Sequence, residues 1–421
     1  MFNRFITNYG ESGIFKREDK QVAVTGIGAL CATGLDFESA IAALFEKRRE
    51  PAAPRRFQLE HPITYPVFEL PLSPLDDEDE KQPWLRTSRL ALTAAREALN
   101  RAGWCNDGES NDIKLSQLKV GVCVGTTVGG TMNNEKFYRD YRDRKNPSLE
   151  PIDRYLRSNP AAVLAQVFDL HGPQLTIVNA CASGTDAIGI GAGWIKSGIC
   201  DLVLTGGSDE LCRVTCNGFI SLMISAQQAC RPFDQQRNGL NLGEGAAILV
   251  LESDKLRKLR NRPAQAFIAG YGSSCDAWHL TAPHPEGKGL RQALQLALND
   301  AGSKAEEISF INAHGTATAN NDLTEGKILK SLFPQAPFFS TKGHTGHTLG
   351  AAGALEAAFT IAMLQSRKIP ASAGFGTIDP EISHAPTECA QNINGRLALS
   401  QSLAFGGNNA ALVISLDGAR Q

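Results

Sequence analysis

Residues 174–196 combine a short apolar run, a turn of small residues and an apolar helix. The run at 175–178 is rich in β-branched residues and predicts a buried strand. Cys181 follows among alanine, serine and glycine, so the chain can turn sharply there and begin a helix that continues to Lys196. A thiol at a helix start meets unpaired N–H groups and the positive end of the dipole, which lowers its pKa by about one unit. We therefore expect Cys181 to be a nucleophile.

The same order of elements returns later in the chain. Residues 338–359 again predict a strand, a glycine-rich turn and a helix of small residues, with His347 near the place of the nucleophile. Residues 308–316, which include His314, match residues 119–127 in the same way. Strands and helices alternate throughout, which predicts an α/β architecture with largely parallel, buried strands. Two related halves would bring their turns to one edge and into one shared site.

The composition excludes several classes of protein. The chain has 421 residues, of which 42% are hydrophobic and 20% charged, as in an ordinary soluble globular protein. A formal net charge of -2 gives no general attraction to nucleic acid or membranes. From composition, no apolar run is expected to approach the roughly 18 residues of a membrane span, and the start has no signal-peptide pattern. None of the ten cysteines forms a Cys-x-x-Cys pair, so we expect reduced thiols in a cytoplasmic protein without a metal site.

Six motifs together resemble those of the elongating β-ketoacyl-acyl carrier protein synthases of the thiolase superfamily, over residues 21–416. They are Asn-Ala-Cys-Ala-Ser-Gly at 179–184, Arg-Pro-Phe-Asp at 231–234, Gly-Glu-Gly at 243–245, Asn-Ala-His-Gly-Thr-Ala-Thr at 312–318, Thr-Lys-Gly-His-Thr-Gly-His at 341–347 and Phe-Gly-Gly-Asn-Asn at 405–409. The resemblance implies an α/β fold, a thiolase-like five-layer αβαβα sandwich of two pseudo-symmetric halves. The halves would span 19–255 and 262–421, after an N-terminal extension at 1–18.

The resemblance also implies a decarboxylative Claisen condensation in fatty-acid, polyketide or aryl-polyene biosynthesis. Cys181 would hold the acyl chain as a thioester, and the backbone N–H groups of Cys181 and Phe405 would stabilise the oxyanion. His314 and His347 would donate hydrogen bonds to the enolate that forms when a malonyl-carrier thioester loses carbon dioxide. The product would be a 3-oxoacyl-acyl carrier protein.

Supporting and substrate-binding residues follow from the same resemblance. Lys342 and Glu356 match positions that order the histidines, although a helix-surface charge remains the alternative for Glu356. Thr316 and Thr318 would bond the pantetheine arm. Val128 would close the floor of the acyl pocket, unless it is an ordinary core valine. No catalytic role is assigned to the remaining histidines, which are His61, His171, His279, His284, His344 and His384.

The implied partner is acyl carrier protein, whose phosphopantetheine carries the substrates, with no other cofactor. A homodimer is expected, although a heterodimer with a related subunit remains open. A non-catalytic chain-length subunit would lack a cysteine at position 181. A thiolase-like acyltransferase would have a second cysteine in the C-terminal glycine turn, and residues 404–409 contain none. Leu403 and Ala404 replace the Phe-Gly that often precedes this turn, which fits a specialised pathway.

Overall fold

The computed structural model describes residues 21–71, 83–104, 113–128, 130–382 and 384–418. The extension predicted at 1–18 lies outside the described residues. The strands are β1 (Val22–Cys31), β2 (Val120–Gly125), β3 (Gln174–Ile177), β4 (Leu202–Asp209), β5 (Gly245–Ser253), β6 (Ala266–Cys275), β7 (Ile308–Asn312), β8 (Phe338–Phe339), β9 (Lys368–Ile369), β10 (Gln391–Asn392), β11 (Leu397–Ala404) and β12 (Asn408–Ser415). The α-helices are α1 (Phe37–Phe45), α2 (Arg86–Arg101), α3 (Thr131–Arg142), α4 (Glu150–Arg157), α5 (Pro160–Val167), α6 (Ser183–Lys196), α7 (Arg213–Ser221), α8 (Asp254–Leu259), α9 (Lys288–Ala301), α10 (Ala319–Leu332), α11 (Lys342–Thr345) and α12 (Ala352–Ser366).

The main sheet of the described residues has an internal symmetry. Its strand order is β3-β2-β4-β5-β1-β6-β12-β11-β7-β8. In the first half, β1 pairs antiparallel with β5 and β5 with β4, while β4 pairs parallel with β2 and β2 with β3. In the second half, β6 pairs antiparallel with β12 and β12 with β11, while β11 pairs parallel with β7 and β7 with β8. The recurrence predicted from the sequence is therefore a repeated strand topology.

The half-sheets are joined by a short contact. Ala23 pairs with Phe267 and Val24 pairs with Ala266, which links β1 to β6 at the centre. This contact makes one continuous hydrogen-bonded sheet. The sheet does not mark where one half ends and the other begins, so the domain bounds predicted at 255 and 262 stay a prediction.

Helices cover both faces of each half-sheet. The central helices α6 and α12 contact each other, and each contacts strands of both halves. The outer helices α2 and α5 pack on the first half-sheet, and α9 packs on β6 and β12 of the second. Alternate residues of β4 face opposite layers: Val203 belongs to the core cluster with α6 and α12, while Leu202 and Leu204 belong to the cluster with α2 and α5. This helix-sheet-helix-sheet-helix order confirms the predicted five-layer sandwich.

Two expectations about the strands are wrong. Among the named strands of the described residues, parallel pairing is confined to β2, β3 and β4 in one half and β7, β8 and β11 in the other, so the strands are not largely parallel. The strand before Cys181, predicted to be buried, is the edge strand β3. Leu175 on it is 39% exposed, and Val178 just after it is 67% exposed. An apolar run predicts a strand but does not distinguish an edge position from a central one.

The chain around α12 also corrects an expectation from composition. Leu349–Ser366 is long and apolar enough, by length and composition alone, to cross a membrane. Of this window, 89% is buried inside the protein. A helix that is apolar on all sides is typical of a protein core, and α12 lies in the central layer.

Candidate active site

Cys181 lies in the turn between β3 and α6. Ala180 before it has a left-handed backbone with φ 45°, which is costly for a residue with a Cβ atom. The hydroxyl of Ser183 ties the turn together, because it accepts from the N–H of Asn179 at 2.8 Å and donates to the carbonyl of Ala180 at 2.6 Å. The small residues therefore allow the sharp turn predicted from the sequence, and Cys181 is 5% exposed within it.

The thiol of Cys181 is less acidic than its position at a helix start predicts. Burial raises its pKa to about 11, while the charge of Lys342 and the backbone N–H groups of Phe405 and Cys181 act in the opposite direction. Burial therefore opposes the thiolate, and the structure does not support the increase in thiolate expected from the helix start. The thiol is neutral before substrate arrives.

Two histidines of the second half face this thiol. His314 follows β7, and His347 lies between α11 and α12. Their ring centroids are 5.2 Å apart and the rings are nearly perpendicular, at 85°. The sulfur of Cys181 and one nitrogen of each ring lie within 4.8 Å of one another. The fold thus brings together three stretches that are far apart in the sequence.

Lys342 is a buried cation beside His314. Its ammonium group lies 3.0 Å from Nδ1 of His314 and donates to the carbonyl oxygen of the same residue at 2.6 Å. It also forms an ion pair with Glu356 on α12, and both side chains are 2% exposed. Burial raises the pKa of Glu356 to about 7, against the charge of Lys342. Glu356 is therefore part of the site's interior and not a surface charge.

Hydrogen bonds fix which nitrogen of each histidine carries the proton. An ammonium group has only donors, so Nδ1 of His314 accepts from Lys342. The backbone N–H of Leu349 donates to Nδ1 of His347 at 3.1 Å. Burial holds the pKa of both histidines well below the ordinary value, and the charge of Lys342 acts in the same direction. Both rings are therefore neutral and carry their proton on Nε2.

A cysteine and two histidines are also a common ligand set for zinc. A ring nitrogen binds a metal through a free lone pair, and the proton on Nε2 occupies that position in both His314 and His347. The hydrogen bonds from Lys342 and Leu349 therefore favour a pair of N–H donors over a metal site.

These groups open onto a cavity of about 360 Å³. The predicted site residues in its lining are Cys181, His314, Thr316, Thr318, His347 and Phe405. The hydroxyls of Thr316 and Thr318 lie 2.9 Å apart. The Phe405 ring stacks on Phe219, with 5.5 Å between centroids. Lys342 does not line the cavity, but its ammonium group is hydrogen-bonded to His314, which does.

Comparison with known families decides what kind of protein this is. The model for "Beta-ketoacyl synthase, N-terminal domain" matches residues 77–256, and that for "Beta-ketoacyl synthase, C-terminal domain" matches residues 265–376. Together they cover more than half of the 421 residues. The chain belongs to the β-ketoacyl synthase family.

Relatives of this β-ketoacyl synthase match it over nearly its whole length. The 3-oxoacyl-[acyl-carrier-protein] synthase 2 of Staphylococcus aureus (strain COL) is 33% identical over 413 residues, covering 94% of this chain and 98% of that protein. A solved structure described as the ishigamide ketosynthase/chain length factor has a TM-score of 0.86 and 31% identity, covering 94% of this chain and 99% of that one. The structure of AntDE:AntF, a type II PKS acyl-carrier protein in complex with its ketosynthase, has a TM-score of 0.84 and 25% identity over the same shares, 94% and 99%.

The residue predicted to close the acyl pocket of this β-ketoacyl synthase is not in the cavity wall. Val128 is half-buried after β2 and packs on an apolar cluster that contains Leu240 and Leu349. Leu240 lines the cavity, as does Phe219, which packs on the same cluster. Val128 thus contacts the same cluster as two residues of the lining. Its place at the floor of the acyl pocket stays a prediction.

Glu325 is a site residue that the sequence patterns did not single out. Its carboxylate accepts from the N–H of His314 at 2.6 Å, the N–H of Gly315 at 2.8 Å and the amide of Gln401 at 2.6 Å. Burial raises its pKa to about 7, and these three bonds act against that shift. Glu325 thus holds the turn that carries His314. The sequence signal that could have identified Glu325 is its position three residues after Asp322 on α10, because this spacing puts two acids on one helix face.

Two other histidines lie close to the site in sequence or in space. His279 lines the cavity, which the sequence did not predict, and its Nδ1 accepts from the N–H of Thr281 at 3.1 Å. His344 is buried on α11, 3.1 Å from the carbonyl oxygen of Arg48, and is not part of the cavity lining. His344 is therefore bonded to a backbone carbonyl outside the cavity, and no catalytic role is assigned to it.

Proposed function

We propose that this β-ketoacyl synthase condenses an acyl chain with malonyl-acyl carrier protein, releasing carbon dioxide and forming 3-oxoacyl-acyl carrier protein. One observation carries the proposal: a thiol and two neutral histidines, each with its proton on Nε2, meet within 4.8 Å in one cavity. The printed name of the staphylococcal relative, a 3-oxoacyl-acyl carrier protein synthase, supports the same reaction.

In the first half-reaction, Cys181 takes the acyl group from its carrier. The sulfur attacks the thioester carbonyl, and the carrier leaves as its pantetheine thiol, which takes up the proton that Cys181 loses. We assign the oxyanion to the backbone N–H groups of Cys181 and Phe405, and their influence on the thiol of the free protein supports this assignment. Because the thiol is neutral in the free protein, proton loss accompanies the attack, and the charge of Lys342 favours it.

In the second half-reaction, the histidines stabilise an enolate. The malonyl thioester loses carbon dioxide, and its carbonyl oxygen becomes negatively charged. Nε2–H groups of His314 and His347 donate to this oxygen, and preorganised donors are most effective in such a buried setting. Lys342, held by Glu356, keeps Nδ1 of His314 as the acceptor. The enolate carbon then attacks the acyl group, and the sulfur of Cys181 leaves as thiolate.

The carrier and its arm define the substrate class. The hydroxyls of Thr316 and Thr318 line the cavity and offer hydrogen bonds to the amides of phosphopantetheine. The AntDE:AntF structure contains an acyl-carrier protein with its ketosynthase, which supports the same kind of partner here. The phosphopantetheine belongs to the carrier, so the proposed reaction uses no other cofactor.

The open edge of the sheet supports a dimer. β3 is an edge strand, and Leu175 and Val178 are exposed beside its unpaired backbone. An exposed apolar edge is a template for pairing with another chain. A second copy is the simplest occupant, and the related ketosynthase/chain length factor structure supports a heterodimer as the second candidate. The described cysteines form no disulfide, which supports a cytoplasmic location.

The reaction is tested by mixing the purified protein with malonyl-carrier and acyl-carrier proteins and following the products by mass spectrometry. We expect 3-oxoacyl-carrier protein from the parent and none from Cys181→Ala. His344→Ala is a matched control, because it also removes a buried side chain near the site, and His344 does not line the cavity. A chain-length subunit would form no product in any of the three, and that result from the folded parent would contradict the proposal.

A further inference from the structure

Asp209 is a buried carboxylate that the proposed reaction does not use directly. It ends β4 and is 0% exposed. The loop after β2 donates to it through the hydroxyl of Thr126 at 2.9 Å, and through the N–H and hydroxyl of Thr127 at 2.9 Å and 2.7 Å. From the other half of the molecule, the N–H of Gly350 donates to it at 2.7 Å. Asp209 therefore joins a loop of the first half to the turn that follows His347.

That turn is in an unfavourable backbone conformation. Leu349 has φ 54°, in the left-handed region that a residue with a branched side chain seldom adopts. Its N–H is the group that donates to Nδ1 of His347. Such conformations persist where the surroundings hold them in place. The bond from Gly350 to Asp209 holds the very next peptide.

Close packing leaves the turn little room to shift. A Cβ atom on Gly350 would lie 2.7 Å from the backbone of Thr126 and 2.8 Å from Oδ2 of Asp209. A Cβ atom on Gly207 would lie 2.4 Å from the carbonyl oxygen of Gly350. The side chain of Leu349 is 2% exposed and belongs to the apolar cluster on which Val128 packs. The carboxylate thus lies in a tightly packed junction between the two halves.

We propose that Asp209 is a positioning residue that fixes the tautomer of His347. By holding the N–H of Gly350, it keeps Leu349 in its left-handed conformation, and the N–H of Leu349 then points at Nδ1 of His347. The proton of the ring is left on Nε2, where decarboxylation needs a donor. This proposal rests on the proposed function only where it says that decarboxylation needs the Nε2–H donor. The tautomer itself is a property of the free protein.

A carboxylate suits this junction because all of its partners donate. Burial raises the pKa of Asp209, and the bonds from Thr127, Gly350 and Thr126 act in the opposite direction. Oδ2 of Asp209 accepts from Gly350 and from both donors of Thr127, while Oδ1 accepts from the hydroxyl of Thr126. An asparagine with its oxygen at the place of Oδ2 would therefore retain the bond from Gly350. An alanine removes both oxygens, so the N–H of Gly350 loses its acceptor.

The direct test is nitrogen NMR of the protein with ¹⁵N-labelled histidine, which distinguishes a protonated ring nitrogen from one with a free lone pair. In the parent, we expect His347 to be a single Nε2–H tautomer. In Asp209→Ala, which removes the acceptor of Gly350, we expect a mixture of the two tautomers. Glu252→Ala is the matched control, since Glu252 is also 0% exposed but pairs with Arg260. A single Nε2–H tautomer in folded Asp209→Ala would overturn the proposal.

The half-reactions give a second readout. In Asp209→Ala, decarboxylation of malonyl-carrier protein should fall on the order of tenfold, which corresponds to about 1.4 kcal/mol. Transfer of an acyl group to Cys181 should stay within about twofold of the parent, and Asp209→Glu, which keeps an acceptor, should recover part of the decarboxylation. Equal loss of both steps would overturn the positioning role. A parent that forms no 3-oxoacyl product would refute the proposed function while leaving the tautomer result intact.

The parent also provides a check if Asp209→Ala does not fold. Amide hydrogen exchange of Leu349 and Gly350 should be among the slowest in the protein, because both N–H groups are buried and bonded to fixed acceptors. Exchange as fast as that of exposed loop amides would overturn the proposal.

Discussion

The three reactive side chains of this β-ketoacyl synthase are all buried, and burial shifts the pKa of each toward its neutral form. Cys181 keeps its proton because burial raises its pKa to about 11. His314 and His347 stay unprotonated at their second nitrogen because burial holds their pKa well below the ordinary value. The site is therefore arranged to handle charge that appears during the reaction and not charge that is already present.

The raised pKa of Cys181 predicts a steep pH dependence of its reactivity. At pH 7, a thiol with a pKa of about 11 is ionised in roughly one molecule in 10⁴, and this share grows about tenfold per pH unit. We expect the rate of alkylation by iodoacetamide to rise in that proportion from pH 7 to pH 9, measured by mass spectrometry of the peptide that contains Cys181. Cys181→Ala corrects for the exposed Cys275 and Cys389. A plateau between pH 7 and 8 would show that the helix dipole prevails after all.

The two histidines should separate the half-reactions. His314→Ala and His347→Ala each remove one N–H donor, so decarboxylation should fall by roughly 10²–10³-fold, the cost of deleting an oxyanion donor. Acyl transfer to Cys181 should fall less, because the backbone donors remain. Cys181→Gln should keep decarboxylation without condensation, since the histidines need no thiol. Equal loss of both steps in both histidine variants would instead make a histidine the base for Cys181.

At the scale of the elements, local patterns predicted where strands and helices begin more reliably than how they pair. An aspartate is a favourable residue before a helix, and the carboxylate of Asp36 does accept the N–H of Ser39 at 2.8 Å at the start of α1. Whether two strands pair parallel or antiparallel depends on how the chain connects them. The apolar run at 202–204 in β4 does not encode that connection, and β4 pairs parallel with β2 but antiparallel with β5. For the same reason, the exposure of β3 could not be predicted from its residues.

The loop after β2 carries the prediction about acyl chain length. Leu240 lines the cavity and Val128 packs on its cluster, so Leu240→Phe should narrow the cavity directly and Val128→Phe should do so less. Each methylene kept out of the cavity forfeits about 0.8 kcal/mol, or roughly fourfold in rate for each carbon. The measurement compares condensation rates for short and long acyl-carrier substrates. A larger shift for Val128→Phe than for Leu240→Phe would place the side chain of Val128 in the acyl path.

At the scale of the whole molecule, a repeated strand topology delivers its turns to one site. The recurrence of strand, glycine-rich turn and small-residue helix was visible in the sequence, and it indicated that Cys181 and His347 would meet. Glu325 and Asp209 were not visible in this way, because their roles depend on backbone N–H groups that only the folded chain brings near them. Burial of Cys181 likewise depends on contacts between the halves.

The open edge at β3 predicts that the molecule is a dimer. Light scattering of the parent should give twice the chain mass of 45.2 kDa. Replacing Leu175 and Val178 together by lysine puts charge on the edge and should weaken association at least about tenfold. Leu259→Lys is the control, because Leu259 is 70% exposed on α8. A parent of 45.2 kDa, or a double variant that associates as well as the control, would contradict this prediction.

The central claim is that Cys181 carries the acyl chain, and intact-mass analysis tests it most directly. The protein is exposed to a panel of acyl-carrier proteins without malonyl-carrier protein, so that the first half-reaction stops at the acyl-enzyme. We expect the parent to gain the mass of one acyl group, located at Cys181 by peptide mapping, and Cys181→Ala to gain none. An adduct of the same mass on folded Cys181→Ala, or none on the parent with any carrier, would contradict the account.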